Sequence, residues 1–239
     1  MPVKGPKPNT WFSGTISKLP GIHIDNGAVL LNASNAAIIE AHIGNNQSYN
    51  AKFTEKMLEY YRLKNGRACP RTGSDAKGPI LDLIRMIDLE NSTNQWRYKG
   101  NRPYVMAMVD YITDPSTGFW NRLDQGDIKL PDVLLASCAA SSTSGPRSLA
   151  SKVCRYFSEL FLGKDNYYIN DSVVRHVLPY YLNYYGISIP KGQNTMNYFK
   201  ALKYDDLHIW LGKLRAQTSP QLKRSELDHI MWYCYRYEA

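Results

Sequence analysis

The chain has 239 residues, enough for one large or two small domains, and its 44% apolar content can supply a packed core. A formal charge of +8 favours an anionic partner, with nucleic acid first in line. No apolar run approaches the roughly 20 residues a membrane span needs, and Met1–Thr10 is polar and Pro-rich, without the apolar centre of a signal peptide.

Four cysteines, Cys69, Cys138, Cys154 and Cys234, are widely spaced and form no CxxC motif, so they read as reduced, buried thiols of a reducing compartment. The five histidines, His23, His42, His176, His208 and His229, show no metal-ligand spacing with Asp, Glu or Cys. No metal site and no cofactor is expected. Tyrosine is frequent, at 18 residues, and clusters as Tyr167-Tyr168, Tyr180-Tyr181, Tyr184-Tyr185 and Tyr233/Tyr235/Tyr237. Such clusters predict half-buried helix faces with polar tips.

In chain order, residues 1–33 are irregular, because Pro2, Pro6, Pro8 and Pro20 break helices and Gly14, Gly21 and Gly27 permit turns. A short hairpin is possible around Ile22–Leu31. Ser34-Asn35 reads as a cap before a short helix over 36–43. Ser48 or Asn50 caps a stronger helix carrying Phe53, Met57, Tyr60 and Tyr61, which stops at Asn65-Gly66. Residues 67–78 read as a basic loop with Arg67, Arg71 and Lys77, either a solvated connector or a DNA-backbone contact. Pro79 opens a helix with Leu81, Ile84, Ile87 and Leu89 at helical spacing.

From residue 101 the chain reads as successive helices over 103–112, 130–140, 146–162, 171–185, 195–201, 204–216 and 224–237. Pro131 fits a first helical turn, and Gly186 ends the 171–185 helix as a C-terminal glycine does. Periodicity alone predicts a mostly α protein with short connections. It does not distinguish one helical bundle from another.

Two chemical groups stand out. Lys152 lies on a helix entered through Ser144-Gly145-Pro146, and nineteen residues later Asp171 stands at the mouth of the apolar helix that follows it. An amine and a carboxylate together can open a glycosidic bond by nucleophilic displacement. A lysine on one helix and an acid capping the next also occur in ordinary helical proteins, so the surrounding pattern must decide.

Segment 144–185, with its stretch Asn170-Asp171-Ser172-Val173-Val174-Arg175-His176-Val177-Leu178, resembles the heart of the helix-hairpin-helix DNA glycosylases, the endonuclease III and 8-oxoguanine DNA glycosylase superfamily. The resemblance implies that Asp171 is the catalytic carboxylate and Arg175 a helix residue near it. It further implies that Lys152 is the Schiff-base lysine of the bifunctional members, since its distance from Asp171 suits the 8-oxoguanine branch. Weaker likenesses flank the core. Lys99–Ile112 looks like the family's opening helix, without its usual Gln. Ser225–Tyr233 looks like the final helix, with Asp228 and Trp232. The likeness therefore covers 95–239 as a glycosylase-like domain, with 1–94 expected to pack on it as further helices after an irregular N-terminus. The iron–sulfur loop of some relatives needs four close cysteines near the C-terminus, where only Cys234 lies, so no cluster is expected.

The hairpin departs from the family pattern, for Thr143-Ser144-Gly145-Pro146-Arg147 replaces the usual Leu-Pro-Gly-Val-Gly turn. A second alignment puts Arg147 or Ser148 at the nucleophile position. An arginine supplies no amine near neutral pH, and the enzyme would then be monofunctional, with water as nucleophile.

The resemblance implies a DNA glycosylase that flips out and removes a modified base, an oxidised purine such as 8-oxoguanine being the default. Ser144, Gly145, Arg147 and Ser148, with Arg155 and Arg175, are the expected contacts to double-stranded DNA. Backbone N–H groups at a helix N-terminus favour a phosphate there. Extrusion of the base costs a few kcal/mol, and Trp96, Phe119, Trp120, Trp210 and Trp232 are candidates to stack on it. The expected protein is a cytoplasmic, nucleoid-associated monomer acting in repair or against phage-modified bases. A DNA-binding module of the same fold without catalysis, and a helical interaction protein, remain alternatives.

Overall fold

Asn26 and Gly27 make a tight turn near the start of the described chain. In the computed structural model, which describes residues 18–45, 69–90, 95, 99–138, 147–190, 192–193 and 196–236, both have positive φ, 47° and 80°. An Asn-Gly pair suits a tight hairpin for that reason. It joins β1 (Ile24–Asp25) to β2 (Ala28–Val29) in an antiparallel pair, with Ile24 opposite Val29 and Asp25 opposite Ala28. The remaining long elements are helical, and the chain is mostly α.

The chain divides into two compact units, one made of residues 1–46 and 168–239, the other of 47–167. The division drawn from the sequence at 94/95 does not coincide with these units, because the start of the chain packs with its last helices.

In the first unit, α1 (Ala33–Asn45) begins three residues earlier than expected. Its cap is Asn32, whose Oδ1 accepts a hydrogen bond from the Asn35 N–H at 2.8 Å. Asn35, expected to help cap, is fully buried and turned to the hairpin. Its Oδ1 accepts from the His23 N–H, and its Nδ2 donates to the carbonyls of His23 and Leu30, each at 2.8 Å. After 168 come α7 (Ser172–Tyr184), α8 (Met196–Ala201), α9 (Tyr204–Arg215) and α10 (Arg224–Arg236), each within one residue of the expected bounds, the usual uncertainty of helix ends. Helix α10 packs on α1 and α7, and α8 packs on α7.

The tyrosines of α7 account for the polar tips that the sequence predicts. Tyr181 is fully buried and donates to the Val29 carbonyl at 2.6 Å, Tyr184 donates to Asp25 at 2.5 Å, and Tyr185 accepts from the Leu31 N–H at 3.0 Å. The Tyr181 ring lies in the core, those of Tyr184 and Tyr185 are half-buried, and the three hydroxyls hold the hairpin. That arrangement satisfies the backbone groups that so short a sheet leaves unpaired.

The second unit carries α2 (Ser74–Glu90), α3 (Arg102–Thr113), α4 (Phe119–Gln125), α5 (Leu130–Ser137) and α6 (Arg147–Leu162). Helix α2 starts five residues before Pro79, so Gly78 and Lys77 are helical rather than part of a loop. Buried Ala76 anchors that first stretch beside Ile80, Leu83, Ile84 and Ile87, and tertiary burial outweighs the hydrogen bond that Pro79 cannot donate. Helix α4 was not expected. It is bracketed by Gly118 and Gly126, both with left-handed backbone at φ 65° and 69°, and it buries Phe119 and Leu123 one turn apart. The helix expected over 53–63 lies outside the described residues.

Candidate functional site

Lys152 sits in the middle of α6. That helix buries Leu149, Val153 and Phe157 along one stripe and Ala150, Cys154 and Phe161 beside it. The apolar surface is wide enough to take Lys152 in as well, and the residue is only 6% exposed. Lysine is among the residues least often buried to that degree. Next to it, burial pushes the Cys154 thiol far above its ordinary range, so this thiol stays protonated and chemically inert. Burial likewise pushes Cys138 up to about 11.

Asp171 is the N-cap of α7. Its backbone is extended, and its Oδ1 accepts from the Val174 N–H at 3.0 Å, which satisfies one of the donors a helix start leaves open. The carboxylate therefore stands at the positive end of the helix dipole. Lys152 belongs to the unit of residues 47–167 and Asp171 to the unit containing 168–239.

The residues expected to grip DNA divide into distinct groups. Ser144 and Gly145 lie outside the described residues. Arg147 and Ser148 are the first two residues of α6 and are half-buried, and the Ser148 carbonyl accepts from Ser151 Oγ at 2.9 Å. Arg155 is 6% exposed and engaged within its own unit, with Glu159 at 3.0 Å one turn along the helix and Asp165 at 3.5 Å. Arg175 is equally buried and directs its guanidinium at backbone carbonyls around the end of α8. Arg155 and Arg175 thus have partners inside the protein that a phosphate would have to displace. The sequence carries no sign of this, because a long cationic side chain can turn either way from a helix.

Arg71, ahead of α2, and Lys77, within it, are occupied in the same manner. Arg71 Nη2 donates to the Phe161 carbonyl at 2.9 Å, and its guanidinium lies over the rings of Trp120 and Phe161. Lys77 pairs with Asp110 at 2.6 Å on the surface. Arg67 lies outside the described residues.

Among the stacking candidates, Trp120 is half-buried and packed within its own unit. Its Nε1 donates to the Arg71 carbonyl at 2.8 Å, and its ring lies parallel to that of Phe157 and edge-on to Phe161. Phe119 is 1% exposed in the same cluster. Trp210 lies under Lys213 and Trp232 beside Arg236, both through cation–π contacts. Trp96 lies outside the described residues.

Two residues of the unit that holds Asp171 received no role from the sequence. Asn170, directly before it, is 1% exposed and accepts from Arg175 Nε at 2.6 Å. The available signal was its adjacency to the acid, since a buried amide needs a partner. His208 on α9 packs edge-on against Tyr168 and lies near Tyr204, with ring centroids 4.9 and 5.8 Å apart. Its Nδ1 is buried and has no hydrogen-bond partner among the described residues. Burial, reinforced by the nearby Arg224 charge, pushes His208 down from 6.5 to about 4.

A pH dependence of stability follows. Between about 4 and 6.5 the unfolded chain binds a proton at His208 that the folded protein refuses. Stability is therefore complete above pH 6.5, falls as pH drops through that window, and levels off below about 4. Discounted for partial exposure, the loss is about 2 kcal/mol. His208→Phe is expected to flatten this part of the acid limb in urea melts taken from pH 7 down to 4. Identical slopes in variant and wild type would refute it.

Among the described residues no group of His, Cys, Asp or Glu could hold a metal ion. Also among them, no helix is long and apolar enough to cross a membrane. No protein-family model, no curated protein and no solved structure matches the chain. The class that the fold defines is a mostly α protein.

Proposed function

We infer that the protein is a DNA glycosylase that removes a modified base from double-stranded DNA, an oxidised purine such as 8-oxoguanine first among the candidates. The observation that carries this reading is the placement of Asp171 as the cap of α7, following a helix on which Lys152 is buried. An acid held by the Val174 N–H and an amine withdrawn from water are the two groups this chemistry requires. The resemblance of segment 144–185 to the helix-hairpin-helix glycosylases supports the same assignment.

In this mechanism the amine of Lys152, once it has shed its proton, forms a bond to C1′ of the deoxyribose. The C1′–N glycosidic bond breaks, its electron pair leaves with the base, and the base takes up a proton. Opening of the C1′–O4′ bond and loss of a proton from the new C–N linkage yield the Schiff base, and strand cleavage can follow from it. Asp171 stabilises the positive charge that builds on the sugar and helps to move the proton. The surplus of positive charge draws the duplex in. The protein would act as a monomer on nucleoid DNA, in repair or against phage-modified bases.

The buried partners of Arg155 and Arg175 favour a narrower phosphate grip than the one expected, centred on Arg147 and Ser148. If the amine is not used, the same fold could work as a monofunctional glycosylase or as a catalytically silent DNA-binding module. Borohydride added to protein and lesion-bearing duplex tests the reading. The wild type is expected to be trapped as a covalent protein–DNA adduct, stable to denaturing electrophoresis. Neither adduct nor base release from any of a panel of modified duplexes would overturn it.

A further inference from the structure

Arg175 lies one helical turn after Asp171 on α7, and its backbone N–H donates to the Asp171 carbonyl at 3.2 Å. Its side chain runs inward. Nε donates to Asn170 Oδ1 at 2.6 Å, Nη1 to the Phe199 carbonyl at 3.0 Å and to that of Lys200, and Nη2 to the Leu202 carbonyl at 2.7 Å. Three of these acceptors belong to the last turn of α8 or directly follow it, where a helix leaves carbonyls without intrahelical partners. The fourth is the side chain of the residue that immediately precedes Asp171.

The consequence is a clamp on Asp171 from both sides. Ahead of it, Asn170 is buried and tied to the guanidinium. Behind it, the cap to Val174 and the Arg175 N–H fix the first turn. A planar guanidinium with donors in a fixed fork holds several acceptors in one geometry, which a lysine ammonium on its flexible stem does not. A displacement of about 1 Å at a reacting group can cost about 100-fold in rate.

We propose that Arg175, through Asn170, is a positioning residue that sets the Asp171 carboxylate for base release, and that it does not contact DNA phosphate. This role rests on the glycosylase reading of Asp171.

The experiment compares wild type with Asn170→Ala, Asn170→Asp and Arg175→Gln. Asn170→Ala removes one acceptor of the clamp and leaves the carbonyl contacts in place. Asn170→Asp keeps an oxygen at that position. Single-turnover base release, duplex affinity with its salt dependence, and melting temperature are measured for each. Base release is expected to fall by about 100-fold in Asn170→Ala and to recover to within about tenfold of wild type in Asn170→Asp. Duplex affinity and its salt slope stay unchanged in both.

A folded Asn170→Ala protein with full base release overturns the positioning role and leaves the glycosylase reading standing. A salt slope reduced by about one unit in Arg175→Gln, with weaker binding, marks a phosphate contact and overturns it as well. If Arg175→Gln does not fold, the Asn170 pair decides alone. A wild type that releases no base overturns the glycosylase reading, and the positioning role with it.

Discussion

Asp171→Asn is expected to lower base release by at least about 100-fold while the duplex is held as tightly as by the wild type. The variant is unusually clean because of the capping geometry. Asp171 Oδ1 accepts from the Val174 N–H at 3.0 Å, and an asparagine presents an oxygen at the same place. Asparagine and aspartate are comparable N-caps, whereas an alanine would cost about 1 kcal/mol. What Asn removes is the negative charge, which is the property required to stabilise a sugar cation. Its loss from the positive end of α7 also costs about 0.3–1 kcal/mol through the helix dipole, a shift of a few degrees in melting temperature. Melting temperature and duplex affinity together separate a lost charge from a lost fold. A folded Asp171→Asn protein with wild-type base release would remove Asp171 from the chemistry.

The helices around this site were legible because their apolar residues recur cleanly and their ends are marked. Gly186 does what its position implies. It adopts left-handed backbone at φ 65° directly after α7, and the Ile187 N–H closes back on the Leu182 carbonyl at 2.8 Å. Asp171 was readable as a cap for the same reason, as an acid at the start of an apolar helical run. Helix α4 was not readable, because it lies between two glycines that read as turn signals and has no capping side chain at its start. The start of α2 was hidden by Gly78-Pro79, a local stop signal that burial of Ala76 overrides.

The directions of Arg155 and Arg175 were hidden for another reason. Which way a cationic side chain turns depends on acceptors far away in sequence, here Asp165 for the one and the carbonyls of Phe199 and Leu202 for the other. Charge in the sequence therefore pointed to phosphate, where the folded chain supplies its own acceptors. The tyrosines of α7 show the converse. Their number predicted polar tips on a half-buried face, but only the fold identifies the hairpin over residues 24–31 as what those tips hold.

Lys152→Gln should eliminate the borohydride-trapped adduct and reduce base release by a factor comparable to Asp171→Asn. The amine is the one group at this position able to form an imine with C1′, and glutamine has no nucleophilic nitrogen. The variant is chosen for its shape as well. Lys152 is 6% exposed among the apolar residues of α6, and glutamine keeps a polar tip of similar reach without adding a branched carbon to a packed helix face. Melting temperature is measured beside activity, so that in a folded variant any loss of activity belongs to the chemistry. The competing alignment gives the opposite pattern. With Arg147 or Ser148 at the nucleophile position, the wild type forms no adduct and Lys152→Gln keeps most of its base release, since water does the attacking. Both of those residues lie in the first turn of α6, more than a full turn before Lys152. A side chain there cannot substitute for the lysine amine without moving the helix. An adduct that survives in Lys152→Gln would show that a different amine of this chain is the nucleophile, and would withdraw Lys152 from the mechanism.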